Sequence, residues 1–540
     1  MQESSRVKKS IILSGLVGTG GMFVAKLIGI IYAIPFSSIL GSDAYMGIYG
    51  QAYNIYSYVL SVFTAGFPFA IATLVARYTV LKDAKAVLLI RKCSIGMLAV
   101  LGFFGMLMMF AFSGVLAPLM VAQSVEVMSV SLKILSLAVF LVPVLSAFRG
   151  FYQGRKEMEQ YAFSQAFEQV FRVGFLLSIS CLFVYIIGLE RKWALYVSVL
   201  STSVAAIAGI LQFIHFDKKK IKGIKAQAKI QSETTHSSKA LLKEMCILAV
   251  PYMISAIFGY SQQIFNAVLL PTGLHLHQYD EATISTIISA ANYVGVKITA
   301  IPMILAPGFT AAIIPHITEA LTKKDWKRTK KNIIDCLNVV LCIGIPISFC
   351  IFLYAQPINY TLFYTENLSM SSYVLAWMAF EGFLGTVGPV TTNLMMALGL
   401  KKTSLKRIMI ATLIKGCLIV PLTMIFGFAG SVLSSLIGDG YMILFNLREV
   451  QKSYQVNFKK TGIILIRTGV VVLVMWIVCS ILNAIGFTGS EGSKLIAFLL
   501  MCCNGLITLV AGLAAACLLR LPQAVFHIRL RLPGRGGRHV

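Results

Sequence analysis

Charge is scarce in this chain: only 13% of the 540 residues are Asp, Glu, Lys or Arg. Soluble globular domains carry about 25%. Acidic residues are scarcer still, with 21 Asp+Glu against 47 Lys+Arg. These shortages exclude a water-soluble enzyme and a disordered chain. The eleven cysteines are scattered through apolar blocks, with no Cys-x-x-Cys pair, which excludes a disulfide scaffold and offers no zinc ligand set. Only His275 and His277 alternate closely, in a loop with no further ligands nearby, so no metal site is expected. The Gly-x-x-x-x-Gly-Lys-Ser/Thr phosphate loop is missing as well. Gly18-Thr-Gly20-Gly21 lies inside an apolar segment, where close helix packing accounts for it. No ATP use, cofactor or catalytic site is expected. The energy source is left to a coupling cation, the membrane potential or substrate supply.

What is abundant is apolar length. Hydrophobic residues make up 57% of the chain and the mean hydropathy is +0.81. Blocks of 20 or more apolar residues follow one another, separated by short charged or Pro/Gly-rich breaks, as in an all-α polytopic membrane protein. Fourteen spans are expected, at 10–34, 46–76, 93–113, 129–148, 161–188, 193–214, 245–270, 284–318, 332–355, 371–398, 408–427, 430–447, 462–486 and 495–519. The segments 46–76 and 284–318 are too long for a straight crossing. Pro68, and Pro302 with Pro307, are expected to bend them.

The positive charge reports orientation rather than nucleic-acid binding, because no basic stretch is interleaved with aromatics for base stacking. With the N-terminus inside, the inner segments hold 38 Lys+Arg and the outer loops three, Arg191, Lys192 and Lys494. That bias places both termini in the cytoplasm and the protein in the cell membrane. The largest hydrophilic stretch, 215–243, falls between spans six and seven. It divides the first twelve spans into an N-terminal lobe (1–214) and a C-terminal lobe (244–447), two six-helix lobes joined by a basic cytoplasmic linker. Spans thirteen and fourteen (448–519) are added at the end. The tail 520–540, with Arg529, Arg531, Arg535 and Arg538, reads as a basic membrane-surface segment. Two equal halves suggest a transporter that works by alternating access.

Ionisable residues in mid-span are costly in lipid and need a cavity or a partner. The cations are Lys26, Arg172, Lys297 and Lys415, and the anions are Glu168, Glu381 and Asp439. Lys133 and Arg467 lie nearer span ends, where snorkelling explains them. Glu168 and Arg172, four residues apart, share a helix face and can pair. That pair suits a structural ion pair or a site role. Lys26, Lys297 and Lys415 lack such a local partner. Facing a cavity, they would suit a phosphate-bearing substrate. Facing Glu381 or Asp439, they would be structural. Those two carboxylates are alternatively places for a coupling cation.

Three stretches carry a family resemblance. The first runs Lys26-Leu-Ile-Gly29-Ile-Ile-Tyr-Ala-Ile-Pro35-Phe. The second is Tyr49-Gly-Gln-Ala-Tyr-Asn-Ile-Tyr56, with Thr64-Ala-Gly66-Phe-Pro68 and Val75-Ala-Arg77-Tyr. The third is Arg149-Gly150-Phe-Tyr-Gln153-Gly154-Arg, followed by Ser164-Gln-Ala-Phe-Glu168-Gln-Val-Phe-Arg172. The third is the most specific, since hydrophobicity alone does not produce its polar spacing. The chain resembles the polysaccharide-transporter branch of the MOP (multidrug/oligosaccharidyl-lipid/polysaccharide) superfamily. Within it the likeness is to the SpoVB/YtgP group, which includes MurJ-type lipid II flippases of Gram-positive bacteria.

The resemblance implies a cationic central cavity for a lipid-linked saccharide diphosphate, and a groove for its polyprenyl tail at the last two spans. It also implies a flippase that moves an undecaprenyl-diphosphate-linked cell-wall precursor, lipid II first among them, between leaflets. The alternatives are another lipid-linked polysaccharide unit and a MATE-like multidrug antiporter. Lys26 and Lys415 match basic positions of that group, and Lys297 falls a few residues from one. Tyr32 stands where the Gram-negative branch carries a second arginine.

Overall fold

The computed structural model describes residues 27–121, 124–231, 237–303, 317, 319–321 and 323–526. No strand occurs among them. This follows from the apolar blocks: in hydrocarbon every backbone N–H and C=O needs a partner, and a helix supplies it within one segment.

Among the described residues, thirteen helices are long and apolar enough to cross a membrane. The start of the first expected span lies outside the described residues, and its visible end is a shorter apolar helix, α1 (Leu27–Leu40). Then come α2 (Asp43–Val80), α3 (Ala84–Met120), α4 (Val125–Gly154), α5 (Met158–Ile186) and α6 (Arg191–Ile230). They are followed by α7 (Ser238–Leu276), α8 (Glu281–Met303), α9 (Trp326–Leu353), α10 (Leu368–Ala397) and α11 (Lys401–Phe426). The last three are α12 (Phe428–Tyr454), α13 (Lys459–Ala484) and α14 (Lys494–Leu518). The basic stretch after span six is helical as far as Ile230, so α6 extends well past its apolar part.

The bend expected near Pro68 is present, and a glycine makes it possible. The first half of α2 ends at Thr64, and Gly66 takes φ +81° before the second half starts at Phe67. A Cβ at Gly66 would stand 2.6 Å from Tyr252 Cβ, so both the backbone angle and the packing require glycine. In α8, Pro302 sits in a helical turn, whereas Pro307 lies outside the described residues. A π-helical turn, Ala290–Gly295, interrupts α8 earlier.

The chain forms two compact units, residues 1–293 and 294–540. In the first, glycines let helices approach at backbone distance. A Cβ at Gly102 of α3 would lie 2.8 Å from Phe140 O of α4. One at Gly154 of α4 would lie 2.6 Å from Ala72 O of α2. Phe148, Tyr152 and Phe213 stack between α4 and α6, with centroids 5.6 and 5.1 Å apart. Tyr152 donates to Asp217 Oδ1 at 2.6 Å, and Arg91 of α3 pairs with the same carboxylate. In the second unit, Gly512 brings α14 onto Met475 of α13. Tyr354 at the end of α9 donates to Asn504 of α14 at 2.7 Å. Asn504 in turn donates to Asn483 of α13 at 2.9 Å, so these three helices are tied by buried polar contacts.

Candidate functional site

The first unit holds a cationic and aromatic cluster. Tyr49, Tyr53 and Tyr56 recur along α2 at helical spacing, so they line one side of it, and successive ring centroids are 4.5 and 5.7 Å apart. Tyr32 of α1 and Tyr49 share a hydroxyl hydrogen bond of 2.9 Å, and Tyr53 bonds Thr202 of α6 at 2.5 Å. Arg172 projects from α5 over the Tyr32 ring, 5.8 Å from its centroid. A guanidinium over an aromatic face is stabilised by the ring quadrupole. Arg172 Nε is buried and reaches no hydrogen-bond acceptor among the described residues.

Glu168 takes a different partner from the one its spacing suggests. Arg149, in the last turns of α4, donates to Glu168 Oε2 at 2.6 Å and to the Ser164 carbonyl at 3.2 Å. Both charged side chains are mostly shielded, at 14% and 19% exposure. This bridge ties α4 to α5 and leaves Arg172 to the tyrosines. The neighbouring motif residues pack rather than bind. A Cβ on Gly150 would come 2.9 Å from Pro68 O, and Gly154 is equally tight against Ala72. Gln153 is exposed and lines a cleft of about 410 Å³ beside the break in α2, with Thr64, Gly66 and Tyr260. Lys26 lies outside the described residues.

In the second unit, Lys415 of α11 and Asp439 of α12 form an ion pair at 2.7 Å, with side chains 13% and 23% exposed. Gly438 makes the approach possible, because a Cβ there would lie 2.5 Å from Lys415 Cγ. Glu381 of α10 is only partly exposed and sits among Ser435, Lys415 and Asp439. Lys297 buries its Nζ in the same unit, on α8. Three of the four mid-span charges of this unit, Glu381, Lys415 and Asp439, are therefore brought together.

Two features of the first unit are new relative to the sequence reading. The tyrosine row was visible as a Tyr49, Tyr53, Tyr56 spacing but carries no charge to draw attention to it. Arg149 sits nineteen residues from Glu168, beyond any helical spacing rule. Chemically, the first unit offers a guanidinium donor amid hydroxyls, suited to an anionic oxygen. The second offers a lysine already held by a carboxylate.

Comparison with known proteins places these features in context. A family model described as polysaccharide biosynthesis protein matches residues 11–321, more than half of the chain, and the MatE model matches residues 282–422. The lipid II flippase MurJ of Bacillus subtilis (strain 168) is 24% identical over 97% of this chain and 98% of its own. Stage V sporulation protein B of the same organism is 21% identical over 90% of this chain and 92% of its own. A solved structure of lipid II flippase MurJ in an inward closed conformation superposes with a TM-score of 0.66. It is 14% identical and covers 96% of this chain and all of that one.

Proposed function

The chain belongs to the polysaccharide biosynthesis protein family within the MOP superfamily, and on that premise we propose that it is a flippase for an undecaprenyl-diphosphate-linked cell-wall precursor, lipid II. It works in the bacterial cell membrane, with both termini cytoplasmic, and moves the headgroup from the inner to the outer leaflet by alternating access. The observation that carries this reading is the near end-to-end similarity to a lipid II flippase, over 97% of one chain and 98% of the other.

The physical chemistry fits the task. A diphosphate-sugar headgroup cannot enter hydrocarbon unaided, because losing the hydration of its charges costs many kcal/mol. Lys26 and Arg172 of the first unit, and Lys297 and Lys415 of the second, replace that hydration with charged donors during the cycle. Arg172 is the best placed of them. Its Nε has no acceptor to surrender among the described residues, and it stands over Tyr32, so a cation from α5 occupies the neighbourhood where the Gram-negative branch has its second arginine. The polyprenyl tail stays in lipid throughout. No ATP enters; an inward-negative potential draws the unloaded cationic site back toward the cytoplasm.

A second reading, transport of another lipid-linked polysaccharide unit, is favoured by the similarity to the sporulation protein over 90% of this chain. A drug antiporter is disfavoured. The mid-span carboxylate of the first unit, Glu168, is already bridged to Arg149 and is not free to couple a cation. The experiment is complementation of a strain depleted of its own lipid II flippase, with an assay of lipid II exposed outside. Rescue by the wild type and loss of rescue with Lys26→Ala establish substrate and site together. Failure of an expressed, inserted wild-type protein to rescue would reject lipid II in favour of the second reading.

A further inference from the structure

The charge-rich ends of α9 and α13 enclose a cavity of about 980 Å³ that no step of the transport proposal uses. It lies on the side that the Lys/Arg bias assigns to the cytoplasm, wholly inside the second unit. Lys327, Arg328 and Lys331 line it from the first turns of α9, and Lys459, Lys460 and Arg467 from α13. Arg467 is seven residues beyond Lys460, about 10 Å deeper at 1.5 Å per residue. Near a span end it was expected to snorkel outward, yet it faces this cavity. Among the described residues, two carboxylates join the lining. Asp325 is engaged as the N-cap of α9, accepting from Arg328 N at 3.0 Å, and Asp335 lies farther in. The excess of cations makes this an anion site.

A second observation specifies the ligand further. Asn338 also lines the cavity, is only 3% exposed, and its Oδ1 accepts no hydrogen bond from the described residues. A buried acceptor left unsatisfied costs about 1–3 kcal/mol. The phosphodiester of a lipid headgroup carries no proton to relieve it, whereas a headgroup hydroxyl does. Apart from Asn457, whose Oδ1 accepts from Lys459 N at 2.9 Å, the remaining lining is apolar, with Ile463 half exposed beside the still more exposed Ile466. Acyl chains would find their solvent there. We propose that this cavity binds the headgroup of an anionic, hydroxyl-bearing phospholipid of the inner leaflet, of the phosphoglycerol type. Its phosphodiester sits among the α9 and α13 cations, and its hydroxyl donates to Asn338 Oδ1 as the amide turns toward the cavity on binding. The assignment does not depend on what the protein transports.

The test is native mass spectrometry of the full-length protein mixed with phosphatidylglycerol, phosphatidate or phosphatidylcholine. Wild type should retain phosphatidylglycerol over both others. Arg467→Gln combined with Lys331→Gln should lower that retention about 25-fold, two cation contacts at about five-fold each. Asn338→Leu should leave phosphatidate binding intact and erase the preference for phosphatidylglycerol over it. If Arg467→Gln fails to fold, Lys459→Gln with Lys460→Gln at the exposed mouth gives the same readout. Equal retention by wild type and variants, or of phosphatidylcholine and phosphatidylglycerol, would overturn the proposal. Full displacement of phosphatidylglycerol by a polyprenyl-diphosphate saccharide would assign the cavity to the transported lipid instead.

Discussion

Lys415 can serve the fold or the substrate, and its contact with Asp439 allows the two roles to be separated. The pair is 2.7 Å apart with both side chains largely shielded. Removing one partner of a buried pair strands the other charge, which costs about 3 kcal/mol here, the low end of the range because both groups keep some exposure. Asp439→Asn and Lys415→Ala should each lower the thermal midpoint in detergent. Replacing both with apolar residues of similar size, Lys415→Met with Asp439→Leu, should restore part of that loss, because neither member of the pair is left stranded while Glu381 beside them loses its lysine. Function then discriminates. If Lys415 contacts the headgroup, the double variant is stable, inserted and unable to complement. A double variant that complements fully would refute the substrate role. One as unstable as the single variants would refute the pairwise calculation and show that Glu381 depends on Lys415 as much as Asp439 does.

Adding a methyl group separates packing glycines from the rest. Gly154→Ala should destabilise by about 1–3 kcal/mol, since its Cβ would meet the Ala72 carbonyl at 2.6 Å. Gly174→Ala, with nothing within 4 Å, should be neutral or stabilising by up to about 1 kcal/mol in the same thermal assay. Glu168→Gln should reduce thermal stability through Arg149 while leaving the ion dependence of transport in proteoliposomes unchanged. A changed ion dependence would reinstate Glu168 as a coupling group. Collapsing the membrane potential in those proteoliposomes should slow transport, and an unchanged rate would eliminate the potential as the driving force.

The sequence by itself determined the helical class, the bend in span two and the positions of the spans that fall within the described residues. These are local properties: the bilayer tests each apolar stretch by its length, and Pro68 acts on its own backbone. The mid-span ionisable residues were equally legible, because a charge in a 20-residue apolar block stands out wherever the block later packs. Their partners were not. Glu168 reads as paired with Arg172 at helical spacing, yet α4 presents Arg149 to it and α1 presents Tyr32 to Arg172. Asp439 and Glu381 read as equal candidates for Lys415. The tight approach at Gly438 holds Asp439 within 2.7 Å of it. Arg467 reads as an interfacial arginine until α9 closes a cavity around it. Helix formation and insertion depend on neighbours along the chain, whereas charge pairing depends on which faces of distant helices meet. Packing of small residues at close range decides that, and only the tertiary structure contains it.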